Sequence, residues 1–325
     1  MKRRSFLSAV SALAGLCGVP AWAQSALPRA RIGYLVTSPI VDPPSIERRA
    51  FLDGLAQLGY VEGKNLTIEY RSAENAIEFL PDVARDLVNA KVDVIVAVGT
   101  SAALAARGVT QTLPIVMAAS TDPIGSGLVE SLARPGGNVT GLTSLAAGLA
   151  QKRIQLLHEV APKVRDVAVL WYAPLVLEAV EMRAIAPQLG MTLHEYPVRD
   201  AAGFQKALEA MPRAGVQAVV ASSDPLLWTY SRILARYCAR HRIPAVGGWR
   251  QFAEVGGMMS YGTSFPALFR RAAAYVVRVL RGARPESIPI EQPTTFELIV
   301  NLKTAGDIGL RIPPAILLRA DRVIE

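Results

Sequence analysis

Cysteine is scarce in this chain, which has only Cys17 and Cys238 among 325 residues. We expect Cys17 to be removed with an amino-terminal segment, so the mature chain keeps one thiol and cannot form an intramolecular disulfide. Cys238 lies among apolar and basic residues of a predicted helix, where a thiol is more often buried than reactive. The fold is therefore expected to depend on packing alone.

Common catalytic signatures are also absent. The sequence contains no G-x-S-x-G, G-x-x-x-x-G-K-[ST], C-x-x-C or H-E-x-x-H motif, and Gly125-Ser126-Gly127 lacks the third glycine of a dinucleotide-binding fingerprint. The three histidines, His158, His194 and His241, lack the spacing of metal ligands. We therefore predict that the protein is not an enzyme and has no catalytic residue, metal or cofactor.

Beyond the amino terminus, no apolar run approaches the roughly twenty residues that a membrane-spanning helix needs. The formal net charge is +8, and Lys2-Arg3-Arg4 contributes three of these positive charges. The other Lys and Arg residues are scattered, whereas nucleic-acid binding requires a basic patch or stripe. We expect neither a second membrane segment nor a nucleic-acid partner.

The amino terminus is typical of an export signal. Lys2-Arg3-Arg4 precedes an apolar run from Phe6 to Val19, and Ala21-Trp22-Ala23 supplies the small residues that a signal peptidase recognises. This pattern predicts a signal peptide over residues 1–23, cleavage between Ala23 and Gln24, and a periplasmic mature protein.

Two alternatives remain open in this segment. The Arg3-Arg4 pair fits a twin-arginine signal as well as a general secretory one. Cys17 raises the alternative of a lipoprotein, but Leu16 is bulkier than the small residue that usually precedes a lipidated cysteine. The cleavage site after Ala23 fits better, and we expect a product without a lipid anchor.

The most informative stretch runs from Val92 to Leu145. It contains two short apolar runs, Val94 to Val98 and Ile115 to Ala119, which are rich in β-branched residues and too short for typical helices. Runs of this kind predict buried parallel strands. A helix is expected after each, so the stretch predicts two consecutive βα units.

Small polar residues follow both predicted strands. Gly99-Thr100-Ser101 follows the first, and Ser120-Thr121-Asp122-Pro123 follows the second. Open α/β sheets bind ligands at the carboxyl ends of their strands, where free N–H groups of helix starts favour anions. The alternative is that Thr100 and Thr121 are ordinary N-caps and Asp122-Pro123 an ordinary turn. Because the arrangement occurs twice, we favour a binding crevice.

Strand and helix patterns alternate along the rest of the chain, and a second βα series begins after about residue 147. A mature chain of about three hundred residues exceeds one usual core, so we predict two α/β lobes. Asp122 and Asp224 each precede a proline at a predicted strand end. They could form a catalytic carboxylate pair, but without a neighbouring base or metal ligand they suit cation binding better.

Five segments carry the pattern of a known family: Leu58 to Asn65, Thr121-Asp122-Pro123, Arg134 to Gly141, Met259 to Gly262 and Leu298 to Ala305. They resemble the ABC-transporter substrate-binding proteins of the tryptophan/tyrosine-binding type, and the resemblance covers essentially the whole mature chain. It implies a type I periplasmic-binding-protein fold, with two Rossmann-like lobes of parallel sheets that close on a small ligand and deliver it to an ABC permease.

The resemblance also implies a ligand pocket at the strand ends of both lobes. Typical amino-acid binders of this type have an asparagine where this chain has Ala173, another at Pro225, and an acidic residue near Gly248. Trp249 either stacks on a flat ligand or fills the cleft wall. The implied ligand-binding residues are Ser38, Thr100, Ser101, Ser120, Thr121, Asp122, Tyr172, Asp224, Trp249 and Tyr261.

We therefore expect a monomeric, periplasmic solute-binding protein for an amino acid or related carboxylate, aromatic ligands included. The expected amino-terminal lobe comprises residues 24–145 with about 264–284, and the carboxyl-terminal lobe comprises residues 146–263 with about 285–325. Two alternatives remain: an exported hydrolase or isomerase using the same cleft, and a ligand sensor for a membrane receptor.

Overall fold

The structure is a computed structural model that describes residues 27–144, 148–172, 177–223 and 225–325. The predicted signal peptide, its cleavage site, Cys17 and Asp224 lie outside these residues. No helix in the described ranges is long and apolar enough to cross a membrane.

Strands and helices alternate along most of the described chain, as the sequence predicts. The strands are β1 (Ala30–Val36), β2 (Leu66–Ser72), β3 (Val94–Val98), β4 (Ile115–Ser120), β5 (Val139–Thr143), β6 (Asp166–Tyr172), β7 (Thr192–Val198), β8 (Ala218–Ala221), β9 (Ala245–Gly247), β10 (Met259–Thr263), β11 (Phe296–Asn301) and β12 (Arg322–Ile324).

Helices connect most of these strands, and short 3-10 turns lie at Ile77–Phe79, Ala186–Leu189 and Pro285–Ser287. The helices are α1 (Ile46–Gln57), α2 (Leu80–Asn89), α3 (Thr100–Val109), α4 (Leu149–Val160), α5 (Leu177–Ile185), α6 (Ala201–Ala210), α7 (Pro225–Thr229), α8 (Ser231–His241), α9 (Arg250–Glu254), α10 (Phe265–Leu280), α11 (Leu302–Asp307) and α12 (Pro314–Leu317).

The amino-terminal lobe is built on a five-stranded sheet with the order β2-β1-β3-β4-β5, in which all paired strands are parallel. Its central strands are almost wholly buried, as expected for a parallel sheet covered by helices on both faces. The carboxyl ends of β1, β3 and β4 therefore lie side by side at one edge of the sheet.

The carboxyl-terminal lobe is built on a seven-stranded sheet with the order β12-β11-β10-β9-β8-β6-β7. Strand β11 pairs antiparallel with β10 and parallel with β12, so the last two strands run against the other five. The chain leaves this lobe after β10 and forms α10 on the other lobe before it returns as β11. No right-handed βαβ crossover therefore constrains β11 to be parallel.

One predicted helix is absent. The chain after β4 forms turns over residues 123–127 instead of the helix expected there. The Asp122 carboxylate accepts a hydrogen bond from Gly125 N at 2.8 Å, which closes a turn typical of aspartate. Glycines at 125 and 127 also disfavour a helix, and Gly127 has a positive φ of 71°.

The segment after α10 stays with the amino-terminal sheet for longer than predicted. Helix α10 packs against α1 and β4, and the Thr140 hydroxyl on β5 donates to the Ile288 carbonyl at 2.8 Å. Glu291 N donates to the Gly141 carbonyl at 3.1 Å. The expected boundary near residue 284 therefore falls before the chain leaves this sheet, because several turn residues, among them Pro285, Pro289 and Pro293, follow one another here and none by itself marks the change of lobe.

Among the described residues, three segments lie where the chain passes between the lobes, after β5, after β10 and before β11, and they are hydrogen-bonded to one another. The Thr263 hydroxyl donates to the Ser144 carbonyl at 2.8 Å, Thr143 N donates to the Glu291 carbonyl at 3.0 Å, and Ser264 N donates to the Thr295 carbonyl at 2.9 Å. A hinge between the lobes would consist of these three neighbouring segments.

Candidate functional site

Helix α3 begins directly at the carboxyl end of β3. Its N-cap residue is Gly99, whose φ of 87° and lack of a side chain leave the helix start without a side-chain cap. The first N–H groups of a helix have no acceptor within the helix. The N–H groups of Thr100, Ser101 and Ala102 are therefore available at the edge of the sheet.

Thr100, Ser120 and Thr121 form a hydrogen-bonded group that we call the hydroxyl cluster. The Thr100 and Ser120 hydroxyl oxygens lie 3.2 Å apart, and Thr121 N donates to the Thr100 hydroxyl at 3.0 Å. Ser120 is fully buried and Thr121 is 6% exposed. Thr100 is thus not an N-cap, and its hydroxyl links the start of α3 to the end of β4.

The other predicted residues of this lobe lie at the same edge but outside the hydroxyl cluster. Ser101 is half-buried in the first turn of α3, and Asp122 is half-buried with its carboxylate engaged in the turn to Gly125. Ser38 is exposed after β1, where its carbonyl accepts a hydrogen bond from the Ser72 hydroxyl at 2.9 Å. The expected second helix start, after β4, is missing, so of the two helix starts predicted in the stretch from Val92 to Leu145 the structure has that of α3.

In the carboxyl-terminal lobe, the ends of β6, β8, β9 and β10 lie next to one another. Extending the strand register places Trp171, Ser222, Gly248 and Tyr261 in one row across the sheet. The row has large aromatic residues at its two ends and small residues in its centre. Tyr172 follows Trp171 and is half-buried, and burial raises the pKa of the half-buried Tyr261.

A buried ion pair lies behind this row, and sequence reasoning missed it. The side chain of Arg153, on α4, is fully buried and pairs with Glu178 on α5, whose side chain is 6% exposed. Arg153 Nη1 also donates to Ser223 Oγ at 2.7 Å and to the Tyr261 carbonyl at 3.3 Å. A signal was present in the sequence, because Arg153 interrupts the buried stripe of α4 formed by Leu149, Ala150, Ile154 and Leu157.

Trp249 lies in the core and presents almost no surface. Its side chain is among the largest fully buried ones, and the residue is 1% exposed. The indole Nε1 donates to Ser231 Oγ at 2.7 Å, and Phe252 packs edge-on with the ring centroids 6.2 Å apart. This is the arrangement of a wall-filling residue rather than of a ring offered to a ligand.

The two lobes also touch through polar side chains. Gln251 on α9 donates from Nε2 to Glu47 Oε1 on α1 at 2.8 Å, and Glu47 is only 5% exposed. Arg250, the neighbour of Gln251, is bound to Glu254 and Glu297 within its own lobe. The start of α1 and the start of α9 therefore meet across the boundary between the lobes.

The chemistry of these edges favours binding. Hydroxyl groups and free helical N–H groups can hold an anionic group such as a carboxylate. The described residues contain no group of three or more His, Cys, Asp or Glu side chains that could hold a metal ion. Two α/β lobes with polar strand ends and three hydrogen-bonded connections define the class of type I periplasmic binding proteins.

The chain belongs to the ABC transporter substrate binding protein family, whose model matches residues 36–324. A curated relative is the tyrosine-binding protein of Clostridioides difficile strain R20291, which is 25% identical over 279 residues, or 84% of this chain and 80% of the relative. Both findings confirm the family resemblance seen in the sequence.

Solved structures agree with this assignment. An ABC domain from Streptococcus pneumoniae in complex with L-Trp is 28% identical, with a TM-score of 0.84 over 91% of this chain and 100% of that chain. A conserved domain protein from Vibrio cholerae O1 biovar El Tor is 29% identical, with a TM-score of 0.82 over 90% of this chain and 99% of that chain.

Proposed function

We propose that this protein is exported to the periplasm, binds an amino acid between its lobes and delivers it to an ABC permease. The observation that carries the proposal is the uncapped start of α3 beside the hydroxyl cluster. There the helix dipole and three free N–H groups favour a negative charge, which an amino-acid ligand supplies as its carboxylate.

The relatives support an amino acid, aromatic ones included. One relative is named for tyrosine, and one structural neighbour is a complex with L-Trp, at 25% and 28% identity respectively. The strand ends of the carboxyl-terminal lobe support the same class, because the half-buried Tyr172 and Tyr261 lie at the same edge of its sheet. Ala173 and Pro225 differ from typical amino-acid binders, so the side chain recognised can differ from theirs.

The test is calorimetry of the mature chain, starting at Gln24, with L-tryptophan, L-tyrosine and their amides. We expect saturable binding of at least one amino acid and at least about tenfold weaker binding of its amide, since the amide lacks the charge that the α3 start favours. Recovery of unchanged ligand after incubation would separate capture from hydrolysis or isomerisation. Equal affinity for acid and amide would refute the carboxylate site.

Closure of the lobes is the second part of the proposal. The three connections that are hydrogen-bonded to one another can act together as a hinge. Small-angle X-ray scattering should then show a smaller radius of gyration when a saturating ligand is added. An unchanged radius at saturation would contradict hinge closure but leave the binding result intact.

A further inference from the structure

The buried ion pair joins four elements of the carboxyl-terminal lobe. Arg153 extends from α4 to Glu178 on α5, to Ser223 after β8 and to the carbonyl of Tyr261 on β10. The partners lie 25, 70 and 108 positions away in the sequence. A single guanidinium group can hold all of them because its N–H donors are fixed in one plane.

Ser223 is held through both its side-chain hydroxyl and its backbone N–H. Its hydroxyl accepts a hydrogen bond from Arg153 at 2.7 Å, and its backbone N–H donates to Glu178 Oε2 at 2.9 Å. Gly248, which follows β9, packs closely against Ser223 and adds a third restraint. A Cβ at this glycine would lie only 2.6 Å from Ser223 Oγ and 2.7 Å from its Cα. The carboxyl end of β8 is therefore fixed to α4, α5 and β9.

Stability alone does not account for this pair. Removing two charges from water costs more than their attraction returns unless every polar atom is satisfied, and apolar pairs of similar volume are often equal or better. Among the described residues, Arg153 Nε and Glu178 Oε1 are buried without a hydrogen-bond partner. What the pair does achieve is the fixed position of Ser223 and of the Tyr261 carbonyl.

We propose that Arg153 and Glu178 are positioning residues for the carboxyl-terminal half of the ligand site. They keep the ends of β8 and β10 in the arrangement that the ligand meets, so that less conformational entropy is lost when the ligand binds. The proposal rests on the proposed function, because it takes these strand ends to be part of the ligand site.

The test is the double variant Arg153→Met/Glu178→Leu, which replaces the ion pair by apolar side chains. We expect the double variant to be more stable than Arg153→Met alone and its affinity for L-tryptophan or L-tyrosine to be at least tenfold lower than that of the wild type. The matched control is Lys152→Met/Glu159→Leu, which removes an exposed pair on the same helix, with N and O 3.9 Å apart, together with the exposed pair of Glu159 and Arg319, and should leave the affinity unchanged. Unchanged affinity in the first double variant would overturn the positioning role.

Hydrogen exchange of the ligand-free proteins gives a second measurement that needs no ligand. The Ser223 amide should exchange at least tenfold faster in the double variant, while the amides of β6 keep their wild-type rates. Equal exchange of the Ser223 amide in the double variant and the wild type would overturn the proposal.

If the double variant does not fold, Arg153→Lys is measured in its place, because an ammonium group cannot hold Glu178, Ser223 and Tyr261 together. Ligand affinity and Ser223 exchange are again the two deciding measurements. A wild type that binds neither L-tryptophan nor L-tyrosine contradicts the aromatic ligand of the proposed function instead, and exchange still tests the positioning role.

Discussion

The strand ends of the two lobes are fixed by different chemistry. In the amino-terminal lobe, the hydroxyl cluster uses neutral groups of Thr100, Ser120 and Thr121, which are about twenty positions apart in the sequence. In the carboxyl-terminal lobe, a fully buried charge on Arg153 bonds to residues from three other elements, up to 108 positions away. Similar topologies thus support edges that differ in charge and in the range of their contacts.

The difference predicts unequal responses to mutation. A neutral hydroxyl loses a hydrogen bond when its partner is removed, whereas a buried charge is left uncompensated in a medium of low dielectric constant. Single substitutions in the buried ion pair should therefore lower stability much more than single substitutions in the hydroxyl cluster.

The largest effect is expected for Arg153→Met alone. This change leaves Glu178 buried without its cation, and breaking a buried pair in this way costs about 3–5 kcal/mol. Urea unfolding followed by circular dichroism measures the loss. The double variant with Glu178→Leu should recover most of it, and a single variant as stable as the double one would show that Glu178 is not carrying an uncompensated charge.

Thr100→Val tests the hydroxyl cluster of the amino-terminal lobe, which is held by neutral groups. Valine keeps the shape of threonine but removes the acceptor for Thr121 N, and an unpaired buried N–H costs about 1–3 kcal/mol. Affinity for a carboxylate ligand should fall as well. Ser101→Ala serves as the control for stability, because Ser101 stands next to Thr100 in the same helical turn. A loss as large as that of Arg153→Met would abolish the difference between the two edges.

Glu47→Gln acts on the contact that joins the two lobes. The amide can still accept the hydrogen bond from Gln251 but no longer carries charge, and charge-assisted bonds are roughly twice as strong as neutral ones. We expect ligand affinity to fall by roughly fivefold, or about 1 kcal/mol, and the ligand-free protein to have a larger radius of gyration. Asp53→Asn, at an exposed position on the same helix, is the control and should change neither value.

Chemical labelling of the Cys238 thiol measures unfolding of the carboxyl-terminal lobe without a substitution at that site. Burial raises the pKa of its thiol to about 12, so that at pH 8 the folded protein holds almost no thiolate, the form that iodoacetamide attacks. Labelling of the native protein should therefore follow unfolding. It should accelerate more in Arg153→Met than in Thr100→Val, because the larger loss of stability leaves more of the protein unfolded. Fast labelling of the wild type would show that Cys238 is accessible without unfolding.

Prediction from the sequence succeeded where the pattern is local. The strand Val94–Val98 has the predicted bounds, because a short run of β-branched residues followed by a turn signal defines a buried strand. It failed after β4, where the Asp122 turn and two glycines outweighed the expectation of a βα unit. Whether Thr100 caps its own helix or bonds across to β4 was also undecidable from neighbouring residues.

Local sequence by itself therefore determined the alternation of elements, the two α/β lobes and the polar residues at the strand ends, since each follows from periodicity or turn chemistry over a few residues. Only the tertiary structure decided that Trp249 fills the core, that β11 runs antiparallel and that Arg153 meets Glu178, Ser223 and Tyr261. The reason is distance along the chain: a charge inside an apolar stripe shows that a partner is required, but its identity depends on which strands the fold brings together.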